Sequence, residues 1–580
     1  MDIQNCTPEQ WYKNENNWLE VLENESIWNQ IPLLNVNELH NLKDSRLVRF
    51  RGMIQDMHGP EFYLEKFEVR NEDTQGITVK FGKYVDICDY RPNETVIMEG
   101  ENIRSERQTY VAISIPAINS WVKKIEEERF KILSTPTPST SSECIQLKRS
   151  LEEMEVDHTE PQPAEQSNVA NKKQRTELSK PETESVVSQE HLLNFPIPDP
   201  SGRVCHLKVY RNAELLKLNS VCEFVGFLSV NPSLVCQNMD EGADEVEFQV
   251  HNPPPSLIPK LHCVHFKHLP HNNPLVNERG MVPERMQYIK KELLILLTQL
   301  LFGDELTAEY MIYHLISEVY LRKDFMAIGK FSLNVSNIPK IENLDYVQEL
   351  YKFLTLLLTK SHYIAMSLEN MNELTFIPKK DYTSNRLTSS VLQLSSNTHL
   401  VLDETKLSTG KLNETGINGV KALANAIKNQ KTMYDFTYYQ LEFDCDIPFL
   451  ILSEGKSMLP SDVHIVLEPD EMHLNTFNEI LEAARHFLKP DLLNEMRLYI
   501  TQAKLTQYEI TDGIQELVQN EFVNMRQKGN VSGDDLHNLL VLARLVCISQ
   551  GKNTLNPECW KQACSLEEAR KERIKKTVKQ

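Results

Sequence analysis

The sequence predicts a multidomain fold in which a small β-barrel or sandwich, interrupted by a disordered segment, precedes an α/β domain with a helical C-terminal end. Three observations predict it. Short runs rich in β-branched and aromatic residues lie between 47 and 113 and resume at 204–230, separated by turn-forming residues. Residues 134–192 contain almost no aromatic or large aliphatic side chains. From residue 283 onward, apolar helical segments alternate with short apolar strands, which is typical of a largely parallel sheet.

Residues 8–28 predict an acidic amphipathic helix, because Trp11, Trp18 and Trp28 stand close to helical spacing. Such a helix either docks on its own domain or binds a partner, and the sequence leaves both readings open. The β-rich runs that follow are LVRFRGMIQDM, FYLEKFEVR, ITVKFGKYVDI, ETVIMEG and TYVAISI. Runs of this length between turn signals indicate the first part of the β domain.

The segment 134–192 is rich in Ser, Thr, Pro, Glu and Gln and buries too little apolar surface to offset the entropy of ordering, so it predicts disorder. Two features in it carry functional hypotheses. Its basic residues form two clusters that resemble a two-part nuclear-import signal; they are Lys148, Arg149, Lys172, Lys173 and Arg175. Thr135 and Thr137 each precede a proline and are candidate proline-directed phosphorylation sites.

The C-terminal half predicts an α/β domain and then a helical region. KFSLNVSNI, HLVLDE, PFLILSE and VHIVLEP are apolar strands, and LDYVQELYKFLTLLL is a helix between the first two. We therefore divide the chain into six parts: 1–45 (helical), 46–133 (β, first part), 134–195 (linker), 196–270 (β, second part), 271–472 (α/β) and 473–580 (helical).

Charge and cysteine content restrict the function classes. The formal net charge of −20 opposes binding to a phosphate backbone and favours basic protein partners. The eleven cysteines are scattered and include no CxxC pair, which indicates reduced thiols in an intracellular protein. The most apolar run, Leu293–Phe302, is too short to span a bilayer, which needs about 20 residues. We expect no membrane association.

Several motifs resemble chemical sites and do not complete them. Gly455-Lys456-Ser457 follows an apolar strand, but Leu450 stands where a phosphate-binding loop needs its first glycine. Asp403-Glu404 ends a strand, as a Mg²⁺-binding carboxylate pair would, although acidic strand ends are common. Four histidines near Cys263 have the composition of a metal cluster, but strand geometry would separate them; they are His262, His265, His268 and His271. No nucleophile motif such as GxSxG occurs.

Longer motifs resemble one known family. RFRGMIQDM at 49–57 followed by PEFY at 60–63, ERQT at 106–109, DYTSNRL at 381–387 and LPSD at 459–462 resemble the minichromosome maintenance complex-binding protein family over most of the chain. That family is itself similar to the subunits of the minichromosome maintenance (MCM) helicase that it binds. The resemblance implies an OB-like barrel interrupted by the linker, either as one barrel or as two, then a degenerate AAA+-like α/β domain with a helical lid.

The resemblance also implies that the nucleotide site has decayed. Gly303 and Asp304 resemble the start of the helicase phosphate loop, while Glu309 replaces its lysine and Tyr310 its Mg²⁺-binding serine. Asp403 and Glu404 would be the relic of the Walker B strand.

The same resemblance points to further positions. Ser453-Glu454 falls near the sensor asparagine, and Asp534 near an arginine of the lid. Only Cys88 lies where the helicase zinc module has four cysteines. We therefore expect no cofactor and no metal.

The function implied is that of a non-enzymatic, nuclear binding protein of MCM helicase subunits. It would chaperone, remodel or unload those subunits, regulate DNA replication and cell division, and act in sister-chromatid cohesion. Its association with chromatin would be indirect, without sequence-specific nucleic-acid binding. Two alternatives from other classes are an active AAA+-type ATPase and a single-strand DNA-binding OB protein.

Overall fold

The computed structural model describes residues 3–86, 93–97, 100–131, 187–230, 245–276, 280–324, 326–528 and 532–579. Within these residues, a sheet of eight strands and a parallel sheet of five strands organise the protein, and two smaller sheets of four and two strands accompany them. The helices are α1 (Pro8–Lys13), α2 (Glu15–Leu22), α3 (Glu25–Gln30), α4 (Ser120–Phe130), α5 (Gln189–Leu193), α6 (Glu245–His251), α7 (Pro283–Leu300), α8 (Glu305–Leu315), α9 (Tyr346–Leu357), α10 (Leu368–Glu373), α11 (Glu414–Asn429), α12 (Glu471–Asn475), α13 (Phe477–Phe487), α14 (Pro490–Leu505), α15 (Asp512–Lys528), α16 (Gly533–Ser549) and α17 (Pro557–Lys579).

The strands of the N-terminal half are β1 (Leu47–Met57), β2 (Glu61–Asn71), β3 (Ile77–Phe81), β4 (Glu94–Val96), β5 (Ile103–Ile113), β6 (Val204–Val209), β7 (Val221–Ser229) and β8 (Lys260–His268). Those of the C-terminal half are β9 (Leu321–Lys323), β10 (Met326–Ile328), β11 (Leu333–Ser336), β12 (Ser361–Ala365), β13 (Lys379–Asp381), β14 (Arg386–Thr388), β15 (His399–Asp403), β16 (Lys431–Asp435), β17 (Gln440–Asp444), β18 (Phe449–Leu452) and β19 (Val463–Val466).

Five strands of the N-terminal half close into a ring. β1 pairs antiparallel with β5 and β7, β7 with β8, and β5 with β6, and a parallel pairing of β6 with β8 completes the circuit. β5 also carries β2, and β3 and β4 pair with β2 outside the ring. Since β1 and β5 precede the segment 132–186 and the other three ring strands follow it, one ring forms across that segment rather than two.

A bulge in the ring depends on one glycine. The register between β7 and β8 shifts at Val225/Gly226. A Cβ at Gly226 would lie 2.4 Å from the backbone oxygen of His262, closer than real side chains approach a neighbour. Only glycine therefore fits where these two backbones meet.

The N-terminal segment docks on its own domain, but as three short helices rather than one. Trp11, Trp18 and Trp28 are buried in one cluster with side chains of β7 and β8. The indole of Trp11 meets Phe227 edge-on, with ring centroids 6.0 Å apart. Asn24 caps α3 by accepting a hydrogen bond from the amide of Ser26, and such a cap restarts the helix instead of continuing it.

The C-terminal half contains a five-stranded parallel sheet in the order β12-β15-β18-β11-β19. Helix α9 connects β11 to β12, and α11 lies between β15 and β18. β11, β15 and β18 are buried along their whole length, as expected of inner strands covered on both faces. The α/β part and the β-rich part predicted from the sequence are both present, whereas the six boundaries given above stay predictions.

The last helices pack onto this sheet. α16 and α17 pack together, and α17 contacts β19. The side chains of these helices share one core with α7, α8 and the parallel strands, and Trp560, Cys547 and Tyr499 are fully buried in it. Within the described residues, every helix is too short or too polar to cross a bilayer.

Candidate functional site

The carboxyl ends of the parallel strands form the place where open α/β sheets bind ligands. Here three strand ends meet: Ser336 at the end of β11, Asp403 at the end of β15 and Ser453 directly after β18. The side-chain Nδ2 of Asn334 donates to the Ser453 hydroxyl at 2.9 Å, which joins the β11 and β18 ends. A nucleotide site in this sheet would lie on these ends, with a phosphate loop between a strand and the helix that follows it.

Residues 337–345, between β11 and α9, occupy that loop position. The amides of Asn337 and Ile338 donate to the carbonyl oxygens of Glu454 (3.0 Å) and Ser453 (3.1 Å). The Asn337 side chain donates to the carbonyl of Leu467 at 2.8 Å. A phosphate loop instead leaves its amides free to face phosphate oxygens, and it uses glycines to do so. This loop has no glycine, and its first two amides are already bound to the chain itself.

The N-terminus of α9 is also occupied by a side chain of the protein. Asp345 caps this helix by accepting a hydrogen bond from the amide of Gln348. Its carboxylate also forms an ion pair with Lys406, 2.6 Å away. A carboxylate at a helix N-terminus satisfies the free amides and the positive end of the dipole that would otherwise attract phosphate. The single lysine of the loop, Lys340, is exposed and pairs with Glu454 at 2.7 Å.

Asp403 and Glu404 lie at the strand end where a Mg²⁺-binding pair would lie, but their oxygens are occupied. Asp403 is fully buried, and its Oδ1 accepts from the amide (2.9 Å) and hydroxyl (2.6 Å) of Thr405. Its Oδ2 accepts from the Tyr363 hydroxyl at 2.6 Å. Glu404 accepts from the Ser457 hydroxyl at 2.7 Å, and burial raises the pKa of Glu404 above its ordinary value. A cation here would have to displace these donors.

Gly303–Tyr310 does not have the setting of a phosphate loop. The segment joins α7 to α8, two helices, and no strand precedes it. Asp304 caps α8, and its Oδ2 also accepts from the amide of Glu468 (3.0 Å) and from Arg573 (2.5 Å). The segment therefore fixes the terminal helix α17 to the sheet, and the alignment of this segment with the helicase phosphate loop is wrong on this ground.

Glu309 and Tyr310, which differ from the lysine and serine of the helicase phosphate loop, make contacts between helices. Glu309 lies on the buried side of α8 and faces the Lys290 ammonium at 3.3 Å. Tyr310 is fully buried, and its hydroxyl donates to Glu567 of α17 at 3.4 Å. Both side chains hold helices together and neither faces a ligand site.

Three arginines of the ring strands are paired with carboxylates of the same chain. Glu223 Oε1 accepts from Arg49 at 2.7 Å, and its Oε2 accepts from Arg51 at 2.6 Å. Arg107 pairs with Glu61 (3.0 Å) and Asp86 (3.1 Å). These arginines are therefore neutralised inside the protein, where they cannot hold a nucleic-acid backbone.

The four histidines near Cys263 do not converge. His262 lies 2.7 Å from the Tyr210 hydroxyl, His265 meets the ring of Trp28, and His268 lies 3.2 Å from Cys222. The register shift between Cys263 and His265 interrupts the alternation along β8 that the sequence predicts, so these side chains are separated by their different partners and not by opposite strand faces.

Other predicted positions contribute no site geometry. Asp534 lies in the first turn of α16. The five residues of the basic clusters, the two threonines and Cys88 lie outside the described residues.

Sequence reasoning missed the loop 337–345. Its signal was present, because the strand KFSLNVSNI is followed directly by the helix LDYVQELYKFLTLLL. The phosphate loop was instead assigned to the short Gly-Asp match at 303–304, although the order strand, loop, helix is the stronger criterion for such a loop.

Comparison with known proteins gives a consistent result. A family model described as mini-chromosome maintenance replisome factor matches residues 18–574. Curated proteins named mini-chromosome maintenance complex-binding protein are similar over almost the whole chain. The one from Drosophila melanogaster is 40% identical, over 97% of this chain and 95% of that protein. Those from Gallus gallus and Homo sapiens are both 37% identical, over 98% and 94% of this chain and 95% and 91% of theirs.

Proposed function

Because the chain belongs to the mini-chromosome maintenance replisome factor family, we propose that it is a non-enzymatic binding protein of the MCM complex. The relatives are named for binding that complex. In this proposal the protein acts in the nucleus, where it chaperones, remodels or dissociates helicase subunits. It thereby regulates DNA replication, unloading from chromatin and sister-chromatid cohesion. It reaches chromatin only through those subunits.

The proposal includes the fold that the helicase resemblance implies. An OB-like assignment of the N-terminal half is supported by five strands that close into a ring with one parallel and four antiparallel pairings. A degenerate AAA+-like assignment of the C-terminal half is supported by a parallel sheet with helices between its strands and a helical end. A protein with this fold can offer subunit-like surfaces to helicase subunits and so occupy an interface without hydrolysing ATP.

One observation carries the non-enzymatic part. The position of the phosphate loop, 337–345, has its first amides bound to the β18 end, and Asp345 occupies the start of the following helix. The strand-end carboxylate Asp403 accepts three hydrogen bonds from its own chain. Binding ATP and Mg²⁺ would require breaking these contacts, so complex formation is expected to be independent of nucleotide.

Affinity purification from nuclear extract, with and without ATP, tests the proposal. The full chain should retain the same helicase subunits in both conditions. The variants Lys340→Ala and Asp403→Asn should retain them equally well, with Asp534→Asn as a control distant from the strand ends. Subunit capture that needs ATP and is lost in Asp403→Asn would instead indicate a working ATPase.

The same preparation decides the DNA-binding alternative. Fluorescence anisotropy with a labelled single-stranded oligonucleotide should show no saturable, salt-sensitive binding, because Arg49, Arg51 and Arg107 of the ring are paired internally. Tight binding that weakens steeply with salt would favour the OB-type DNA binder.

A further inference from the structure

A cavity of about 320 Å³ lies between the strand ring and the parallel sheet. Its walls come from the segments before β7 and after β8, from the residues before β12 and β15, and from α14. It therefore opens at the amino ends of the parallel strands, on the edge opposite the loop 337–345. Its volume is within the range of small-molecule sites, about 300–1,000 Å³.

Two lysines line this cavity, and neither is paired with a carboxylate. Lys360 is 4% exposed, and its ammonium donates to the Ser395 hydroxyl (2.9 Å) and the Ser396 carbonyl (2.6 Å). Lys504 donates to the Asn397 side chain at 3.0 Å. Within the part of the chain that the structure describes, no carboxylate oxygen lies within 4.0 Å of either ammonium. A buried ammonium with only neutral partners is costly, and a bound anion would reduce that cost.

The nearby carboxylates are engaged elsewhere. Glu318, which also lines the cavity, pairs with Arg544 at 3.2 Å. Asp446 accepts a hydrogen bond from the amide of Val319 at 3.2 Å, and burial raises the pKa of Asp446 to about 6. Glu318 and Asp446 still attract Lys504 from beyond ion-pair distance, but neither forms an ion pair with Lys360 or Lys504.

The neutral groups of the wall favour an anion as well. Lys504 lies 3.1 Å from His399 Nε2, and because an ammonium only donates, that nitrogen accepts and the imidazole proton sits on Nδ1. His399 Nδ1 is buried without a hydrogen-bond partner. Asn272 and His271 also line the cavity, and each has one buried side-chain nitrogen without a hydrogen-bond partner. The wall thus holds hydrogen-bonding capacity that the described residues do not use.

We propose that this cavity binds a small oxyanion of the phosphate class, held between the ammonium groups of Lys360 and Lys504. The anion links the two halves of the protein, because the ring and the parallel sheet both contribute walls. Its source is either free phosphate or the phosphate group of a nucleotide, and the two share the chemistry that the site recognises.

Isothermal titration of the full chain with inorganic phosphate, at constant ionic strength, tests the proposal. We expect saturable binding to one site and a rise in thermal midpoint with phosphate concentration. Lys504→Met and Lys360→Met should each weaken binding about tenfold or more, a loss typical of one charge-assisted contact. Lys489→Met, which removes an exposed lysine just before the same helix, should leave binding unchanged.

Each outcome decides the proposal. Tighter binding of ATP than of phosphate, lost in Lys504→Met, supports the site with a nucleotide source, and equal or weaker ATP binding supports free phosphate. No saturable binding, or equal binding by Lys504→Met, overturns it. If Lys504→Met fails to fold, Lys360→Met decides in the same assay, since Lys360 lies just before β12 and not on α14.

Discussion

Replacing Glu223 by glutamine should destabilise the strand ring strongly, because this carboxylate is the common anion of two arginines. Its side chain is 4% exposed and that of Arg49 is 1% exposed. Oε1 accepts from Arg49 (2.7 Å) and from the Trp28 indole (2.7 Å). Oε2 accepts from two nitrogens of Arg51, at 2.9 and 2.6 Å. Glutamine keeps the shape, removes the charge and turns an NH₂ group toward one of these donors.

The magnitude follows from the loss of a buried counter-charge. Removing one partner of a buried ion pair costs about 3–5 kcal/mol, because the other charge stays buried without its anion. Arg49 is in that position, whereas Arg51 keeps Glu126 as a partner. At about 1.4 kcal/mol per factor of ten, the ring should open roughly 100- to 4,000-fold more often.

Hydrogen exchange measured on peptides from β1 and β7 is the appropriate assay, since a chain of several domains does not unfold in one step. These two strands pair directly, with Arg51 opposite Glu223, so their amides report the opening of the ring. Glu9→Gln is the matched control: Glu9 pairs with Lys13 in an exposed helix pair, 61% and 56% exposed, and should cost less than about 0.5 kcal/mol. A change below about 1 kcal/mol for Glu223→Gln would refute the reasoning.

The same group gives a pH dependence. Burial alone would raise the pKa of Glu223, but Arg51 and Arg49 outweigh it and hold the pKa below its ordinary value of 4.5. An acid with a lowered pKa stabilises the folded state above its unfolded pKa, and this stability is lost as the pH falls through the folded value. Protection of β1 and β7 should therefore decline below about pH 4.5 in the native chain and less steeply in Glu223→Gln.

Three further changes have defined outcomes. Burial lowers the pKa of Lys360 to about 7, so the native chain should gain stability as the pH rises from 7 to 10. In Lys360→Met, the thermal midpoint should rise less over the same pH range. Gly226→Ala should destabilise the ring by about 2 kcal/mol or more in the same hydrogen-exchange assay, because the added Cβ would collide with the His262 backbone. Gly455→Ala is the control and should be near neutral, because no atom lies within 4 Å of its added Cβ. Asp304→Ala should loosen the C-terminal end of α17 around Arg573 and increase its proteolysis.

Controls separate these effects from general destabilisation. Asp534→Ala, an acidic position in the first turn of α16, should leave proteolysis of α17 unchanged. Equal proteolysis of α17 in Asp304→Ala and in the native chain would show that the Arg573 contact does not hold this helix. An unchanged pH profile in Lys360→Met would show that the ammonium of Lys360 is not desolvated in the folded protein.

The sequence predicted the elements well where periodicity alone determines them. Strand runs such as LVRFRGMIQDM and HLVLD and the helix before β12 formed as expected, because alternation and helical spacing are local properties. The tryptophans of 8–28 indicated an apolar face, but the sequence did not show that this segment divides into three helices, the last of them capped by Asn24. The candidate site was harder to predict. Asp403 and Glu404 lie at a strand end, as the sequence predicts, but the loop 337–345 was not identified.

By itself, the sequence determined the element types, the family resemblance and the position of the strand-end acids, because these depend on residues close together in the chain. Tertiary structure alone decided three things. It closed one ring across the segment 132–186, it identified 337–345 as the loop after the first parallel strand, and it brought Lys360 and Lys504 to one cavity. The physical reason is the same in each case: strand pairing and the burial of charge join residues that lie far apart in sequence, and no local pattern encodes which partner they meet.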